Sequence, residues 1–154
     1  MQIEIISFDP KYASAFYEFN IEWLETFFYV EDYDKEVLSN PDEHILGPGG
    51  HIFFAKEENE ILGTVALLKR GEGIFELTKM AVPPKQRGKN VGQLLMQHCI
   101  NFAKENEFKK LFLYSNTKLE NAIYIYRKYG FIEVPVETDS PYERSNIKME
   151  LQLS

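Results

Sequence analysis

Residues 76–92 read Glu76-Leu77-Thr78-Lys79-Met80-Ala81-Val82-Pro83-Pro84-Lys85-Gln86-Arg87-Gly88-Lys89-Asn90-Val91-Gly92, and this stretch decides the fold. Residues 75–82 are largely apolar or β-branched and predict a strand. Pro83-Pro84 ends it, because proline cannot donate to a ladder. Downstream, Val91, Leu94, Leu95, Cys99, Phe102 and Ala103 recur at three- and four-residue spacing, the pattern of a helix with one buried face. In the loop between them, Gly88 permits close backbone approach and Asn90 tolerates left-handed dihedrals. The first amides of the following helix have no partner inside it. With the positive end of the helix dipole, these amides make an anion cradle of the kind that suits phosphate.

On the N-terminal side, residues 3–6 predict a short strand, and Asp9-Pro10 a helix start with Asp as N-cap and Pro at the first helical position. Residues 12–28 carry Phe16, Phe19, Trp23, Leu24 and Phe27 at helical spacing, with Asn20 a point at which the helix divides in two. A short helix is expected over 33–38, closed by Asn40-Pro41, and a loop over 44–50. Residues 51–56 and 61–69 predict a hairpin, and 71–73 a turn into the central strand. On the C-terminal side, 110–115 predicts a buried strand ending at Asn116. Residues 119–129 predict a helix stopped by Gly130 in a left-handed cap. Strands are expected from 131 to 134 and from 146 to 151, and the polar cluster Tyr142, Glu143, Arg144 and Asn146 reads as a solvated loop, with recognition of a ligand as its alternative role.

The 154 residues make one domain by length, enough to bury about two-thirds of the unfolded surface around a single core. There is no repeat, no linker and no run of about 18 apolar residues that would span a membrane. The first ten residues lack the basic start and apolar core of a secretion signal. A single cysteine suits a reducing compartment, so the expected location is the cytoplasm. The net charge of −7 argues against nucleic acid as a partner. Between residues 83 and 110, six basic residues (Lys85, Arg87, Lys89, Lys104, Lys109, Lys110) face two acidic ones (Glu105, Glu107), a local +4 that leaves −11 for the rest. The basic island suits an anionic ligand at the cradle, and the acidic remainder a cationic one.

The loop Arg87-Gly88-Lys89-Asn90-Val91-Gly92 resembles the acetyl-CoA pyrophosphate loop of the GNAT N-acetyltransferases, Gln/Arg-x-x-Gly-x-Gly/Ala, with Asn90 in place of the first glycine. Asparagine is the residue that best imitates glycine at a left-handed position. The segment Asn121-Ala122-Ile123-Tyr124-Ile125-Tyr126-Arg127-Lys128-Tyr129-Gly130-Phe131 is similar to that family's closing helix. The two motifs lie in the family's order and spacing, and the resemblance runs from about residue 52 to 134 of a single domain, 1–154. It implies a mixed α/β fold with a mostly antiparallel sheet flanked by helices. The helices at about 10–40 would be the variable part over the acceptor site.

The implied activity is direct transfer of an acetyl group from acetyl-CoA to a primary amine on a small molecule, an amino acid, or a protein lysine or N-terminus. An alkylammonium with a pKa of about 10.4 is almost wholly protonated at pH 7, so a proton acceptor matters. The resemblance puts Glu76 in that role, directly or through water, with a pKa expected to be raised by its apolar neighbours. Tyr126 stands where the family carries the tyrosine that protonates the departing thiolate. Main-chain groups of Met80, Ala81 and Val82 would receive the pantetheine arm, and Arg87, Gly88, Lys89, Asn90, Val91 and Gly92 the pyrophosphate. Asn121 is a further candidate for the cofactor arm. Leu119 stands where many members have asparagine, and Asn116 is the substitute. Dimerisation is common in the resembled family, and no segment here marks an interface.

Three other features carry less. Cys99 lies on the apolar face of the central helix and reads as a small core residue rather than a nucleophile. His44, His51 and His98 have no metal-ligand spacing, so no metal is expected. A dinucleotide fingerprint is excluded, since G-x-G-x-x-G does not follow the strand. A non-catalytic acyl-CoA-binding domain on the same fold stays open as the alternative, because a binding module needs the loop but neither Glu76 nor Tyr126.

Overall fold

Seven strands form one sheet: β1 (Glu4–Ser7), β2 (His51–Glu57), β3 (Glu60–Gly71), β4 (Ile74–Ala81), β5 (Lys110–Ser115), β6 (Ile132–Val134) and β7 (Ile147–Gln152). Among the described residues four α-helices cover it: α1 (Ala13–Phe27), α2 (Asp32–Ser39), α3 (Val91–Glu105) and α4 (Glu120–Lys128). The structure is a computed structural model and describes residues 2–140 and 142–153. The spatial order is β1-β2-β3-β4-β5-β7-β6, and every pairing is antiparallel except β4 with β5. The expected mixed, mostly antiparallel sheet flanked by helices is therefore the fold observed.

Strand alternation divides the apolar side chains between two faces. On β2, Phe53 and Ala55 join a core with Leu95, Met96, Cys99 and Ile100 of α3, while Ile52 and Phe54 join a second core with Phe16 and Leu24 of α1 and Val37 and Leu38 of α2. Where α3 crosses β3 the strand carries Gly63. A Cβ there would stand 2.9 Å from Val91 Cγ1, 3.2 Å from Val82 Cγ2 and 3.3 Å from Leu95 Cδ1. The first turn of α3 thus rests directly on the backbone of β3.

Asp9 accepts from the Lys11 amide at 3.1 Å and Pro10 opens a 3-10 turn that leads into α1. The expected break at Asn20 is absent. Its side chain is 4% exposed and donates to the Phe16 carbonyl at 2.9 Å, so α1 runs unbroken. That bond satisfies the amide inside the helix and removes its competition with the backbone. Residues Asp42–Leu46, of which 44–46 are expected as loop, wind into a π-turn closed by the Gly47 amide on the Asp42 carbonyl at 2.7 Å. A wide single turn has no period in the sequence to announce it. Gly130 takes φ +101° after α4, as a left-handed cap requires.

Candidate active site

The central cavity follows from a fault in the sheet. β4 and β5 pair only at Ile74–Lys110, Phe75–Leu111 and Glu76–Phe112, although β4 continues to Ala81 and β5 to Ser115. Beyond Glu76 the strands part. The cause lies in β4, where the register against β3 slips between Ala66–Thr78 and Thr64–Ala81, and Lys79 takes φ +57°. An extra residue bends the strand away from its neighbour. The gap is a cavity of about 540 Å³ roofed by Trp23, Phe27 and Phe28 of α1 and the residue after it. The roof is pinned by Lys118, which donates to the Phe27 carbonyl at 2.6 Å and lies 3.9 Å from the Phe28 ring centroid.

Val82 and Arg87 line the cavity and lead along the chain to the start of α3. Asn90 takes φ +61°, ψ +23°, and no side chain caps the helix. Among the described residues the amides of Gly88, Lys89, Asn90, Val91 and Gly92 donate to no protein acceptor, and a Cβ on Gly88 would meet nothing within 4 Å. These free donors at a helix N-terminus can hold a diphosphate. Because Asn90 sits in the left-handed region, Asn90→Ala is expected to lower stability by about 1 kcal/mol, read as a lower urea midpoint.

The basic side chains of this loop are engaged elsewhere. Lys89 Nζ donates to Gln86 Oε1 at 2.8 Å, Gln86 Nε2 donates to Glu60 Oε2 at 3.0 Å, and Lys85 Nζ is 3.1 Å from the same carboxylate. Arg87 Nε donates to the Val82 carbonyl at 3.0 Å, so one main-chain group expected to face a ligand is already bonded. Met80 lines the cavity, while Ala81 is buried and paired with Thr64. Asn116 lines it too, but its Nδ2 donates to the Arg144 carbonyl at 2.8 Å and its Oδ1 accepts from the Lys118 amide at 2.9 Å. Asn121, also on the wall, makes no side-chain hydrogen bond among the described residues.

Tyr126 of α4 lines the cavity and packs beside Phe131, ring centroids 6.1 Å apart. Burial pushes its hydroxyl up to about 12. A phenol so placed donates a hydrogen bond to an anion but resists giving up its proton. Glu76 is set back from the cavity wall and fully buried. Its Oε1 accepts from Arg70 Nε at 2.9 Å and Nη2 at 2.7 Å, and its Oε2 accepts from the Tyr142 hydroxyl at 3.0 Å. The apolar surroundings expected for this carboxylate are replaced by a bidentate guanidinium. What Glu76 presents to the cavity is the Tyr142 hydroxyl, itself on the wall.

The cavity wall also holds a charged cluster that the sequence reading missed. Asp34 of α2 is 1% exposed; its Oδ2 accepts from Arg144 Nη1 at 3.0 Å and from the Glu31 amide at 3.0 Å, and its Oδ1 from Arg144 Nη2 at 3.0 Å. Arg144 Nη1 also reaches Glu31 Oε2 at 2.8 Å. Lys79 points in from the bulge, its Nζ 4.0 Å from Asp34 Oδ1 and 5.2 Å from the Tyr142 ring centroid. Burial pulls its ammonium down to about 8, against the attraction of Asp34 and Glu76. The loop before β7 is therefore solvated only in part: Glu143 and Asn146 are exposed, while Arg144 is half-buried and Tyr142 is buried, and burial raises its hydroxyl. Residues 34, 79 and 144 share no local spacing, and the sequence signals for them were a lysine in a largely apolar strand and Arg144 in the polar cluster before the last one.

Cys99 is fully buried, and burial raises its thiol, which leaves it inert as a nucleophile. Among the described residues no group of three His, Cys, Asp or Glu side chains could hold a metal ion, and no helix is long and apolar enough to cross a membrane.

Comparison with known proteins agrees with this fold. Streptothricin acetyltransferase A of Bacillus subtilis is 30% identical over 108 residues, 70% of this chain and 60% of that protein. The chain spans less than two thirds of the length of the curated relatives it matches first. A GNAT-family acetyltransferase structure from Staphylococcus aureus superposes with a TM-score of 0.87 at 23% identity, covering 99% of this chain and 100% of that one. The PaiA N-acetyltransferase of Thermoplasma acidophilum, in complex with coenzyme A, superposes at 0.76 with 19% identity over 99% of both chains. The sequence model described as the acetyltransferase (GNAT) family matches residues 16–131, and with a sheet that parts beside an uncapped helix, the chain belongs to that family.

Proposed function

We propose that the protein transfers an acetyl group from acetyl-CoA directly to a primary amine. The observation that carries this reading is the continuous cavity between β4 and β5. Its wall runs from Val82 and Arg87, which lead along the chain into the free amides before α3, past Tyr126 to a charged pocket with Asp34, Lys79 and Arg144. Acetyl-CoA supplies the acyl group as a thioester, and the remaining tasks fall to the chain. The amides of residues 88–92 hold the diphosphate, and the unpaired edge of β4 from Leu77 to Ala81 receives an extended arm as a partial strand would. Binding requires Arg87 to release the Val82 carbonyl. In the transfer a C–N bond forms, the C–S bond breaks, and the amine loses a proton. Tyr126 stabilises the leaving sulfur by hydrogen bonding, since a thiolate with a reference pKa of about 8.5 is the weaker base of the two. Glu76 acts at one remove: the Tyr142 hydroxyl is poised between cavity and carboxylate and can take up a proton as it passes its own to Glu76.

The test is release of CoA from acetyl-CoA with a panel of primary amines, amino acids and lysine peptides. Tyr126→Phe is expected to lower kcat by about a hundredfold, the scale of one lost donor to a developing anion, with little change in the KM for acetyl-CoA. Tight binding of acetyl-CoA without turnover on any acceptor would refute the transferase and identify a binding module.

A further inference from the structure

Lys79 is the unresolved charge of this molecule. Its side chain is 5% exposed and lines the cavity, and it is held there by a backbone at φ +57°, a conformation uncommon for a non-glycine residue. Its neighbours are otherwise committed. From α2, both oxygens of Asp34 already receive Arg144 and the Glu31 amide; from β4, both oxygens of Glu76 receive Arg70 and Tyr142. The closest approach of Lys79 to an anion is the 4.0 Å contact with Asp34, outside hydrogen-bond range. Among the described residues none of its three N–H donors reaches an acceptor. Arg70 holds Glu76, and Arg144 holds both Asp34 and Glu31, so every carboxylate around the ammonium is hydrogen-bonded to another cation and Lys79 keeps only the long contact with Asp34.

We propose that the acceptor carries a carboxylate beside its amine, and that Lys79 receives this carboxylate. This rests on reading the α2 end of the cavity as the acceptor site. A nearly buried ammonium whose donors reach no protein acceptor calls for an acceptor-only partner of opposite charge, and charge-assisted bonds to a carboxylate supply it. The lowered ammonium fits this: it is still mostly charged at pH 7, and a bound anion would hold it so. Trp23, Leu24, Phe27 and the Tyr142 ring line the cavity beside the polar Asn20, Thr78 and Ser145, and this aromatic surface suits an apolar side chain. An amino acid with an apolar side chain meets all three requirements. A polyamine does not, because it would set a second cation against Lys79.

The experiment is calorimetry at pH 7 on protein saturated with CoA. The ligands are the N-acetyl derivatives of phenylalanine, leucine and methionine, each beside its carboxamide. For at least one pair the carboxylate is expected to bind about tenfold or more tighter than the carboxamide, with the preference reduced to about twofold in Lys79→Met. Carboxylates that bind no tighter than carboxamides in the wild type, or not at all, overturn the proposal. So does a preference that survives in Lys79→Met, and so would a role for Lys79 as a neutral base, which predicts no such preference. CoA release separates the two readings. Equal turnover of phenethylamine and phenylalanine defeats the carboxylate site and leaves the transferase standing. A carboxylate preference without turnover on any amine defeats the transferase alone.

Discussion

Asp34→Ala is expected to lower the free energy of unfolding by about 3–5 kcal/mol, the cost of removing one partner from a buried ion pair. The carboxylate is 1% exposed and neutralises a guanidinium whose side chain is 13% exposed. It also closes the capping box of α2 by accepting the Glu31 amide at 3.0 Å. Without it, Arg144 keeps only Glu31, and Lys79 loses its nearest anion. Urea denaturation measures the loss. Asp34→Asn, which retains an oxygen for the Glu31 amide, is expected to lose less and so separates the charge from the cap. A change below about 1 kcal/mol for Asp34→Ala would mean that water reaches Arg144 and the pairing is not a buried one.

The second large effect has the opposite sign. Lys79→Met is expected to raise stability at pH 7 by about 3 kcal/mol, because folding pulls the ammonium from 10.5 to about 8 and each unit corresponds to about 1.4 kcal/mol. Below pH 8 the lysine is charged in both states, and the folded protein bears the full cost. Between pH 8 and 10.5 the unfolded chain holds a proton that the folded chain has released, so the wild type gains stability as pH rises. Above 10.5 the penalty has gone. The stability gap between wild type and variant should therefore narrow across that window. Cys99 and Tyr126 are both raised by burial and work in the other direction at alkaline pH, but they are common to both proteins and cancel in the difference. A variant less stable than wild type, or a gap independent of pH, would show that Lys79 is compensated in solution. A residue that costs stability where it stands is the kind that sites retain for function.

Local rules made most of the frame legible. The hairpin strands, the proline stop, the helix after Asn90, the strand ending at Asn116 and the cap at Gly130 all announce themselves within a few residues, since alternation, helical spacing and turn chemistry act at that range. The cradle was legible for the same reason, because a strand, a loop and a helix start are contiguous in the chain. What escaped was set by contacts between distant segments. Glu76 reads as a carboxylate among apolar residues until Arg70 from the neighbouring strand and Tyr142 from the far loop close on it. The loop around Arg144 reads as solvated until Asp34 is brought beneath it. Asn20 was misjudged because a buried asparagine bonded four residues back in its own helix is indistinguishable, in sequence, from one that ends it.

Gly63 lies on β3 and does not line the cavity, yet it governs where the start of α3 sits. The hydrogen atom it presents in place of a methyl group lets the first turn of α3 settle onto the strand. The direction of the free amides at the head of that helix is therefore fixed by what is missing from a neighbouring strand. Any larger residue at 63 would act as a shim, tilting the helix and spoiling its aim while leaving every group of the cradle chemically intact.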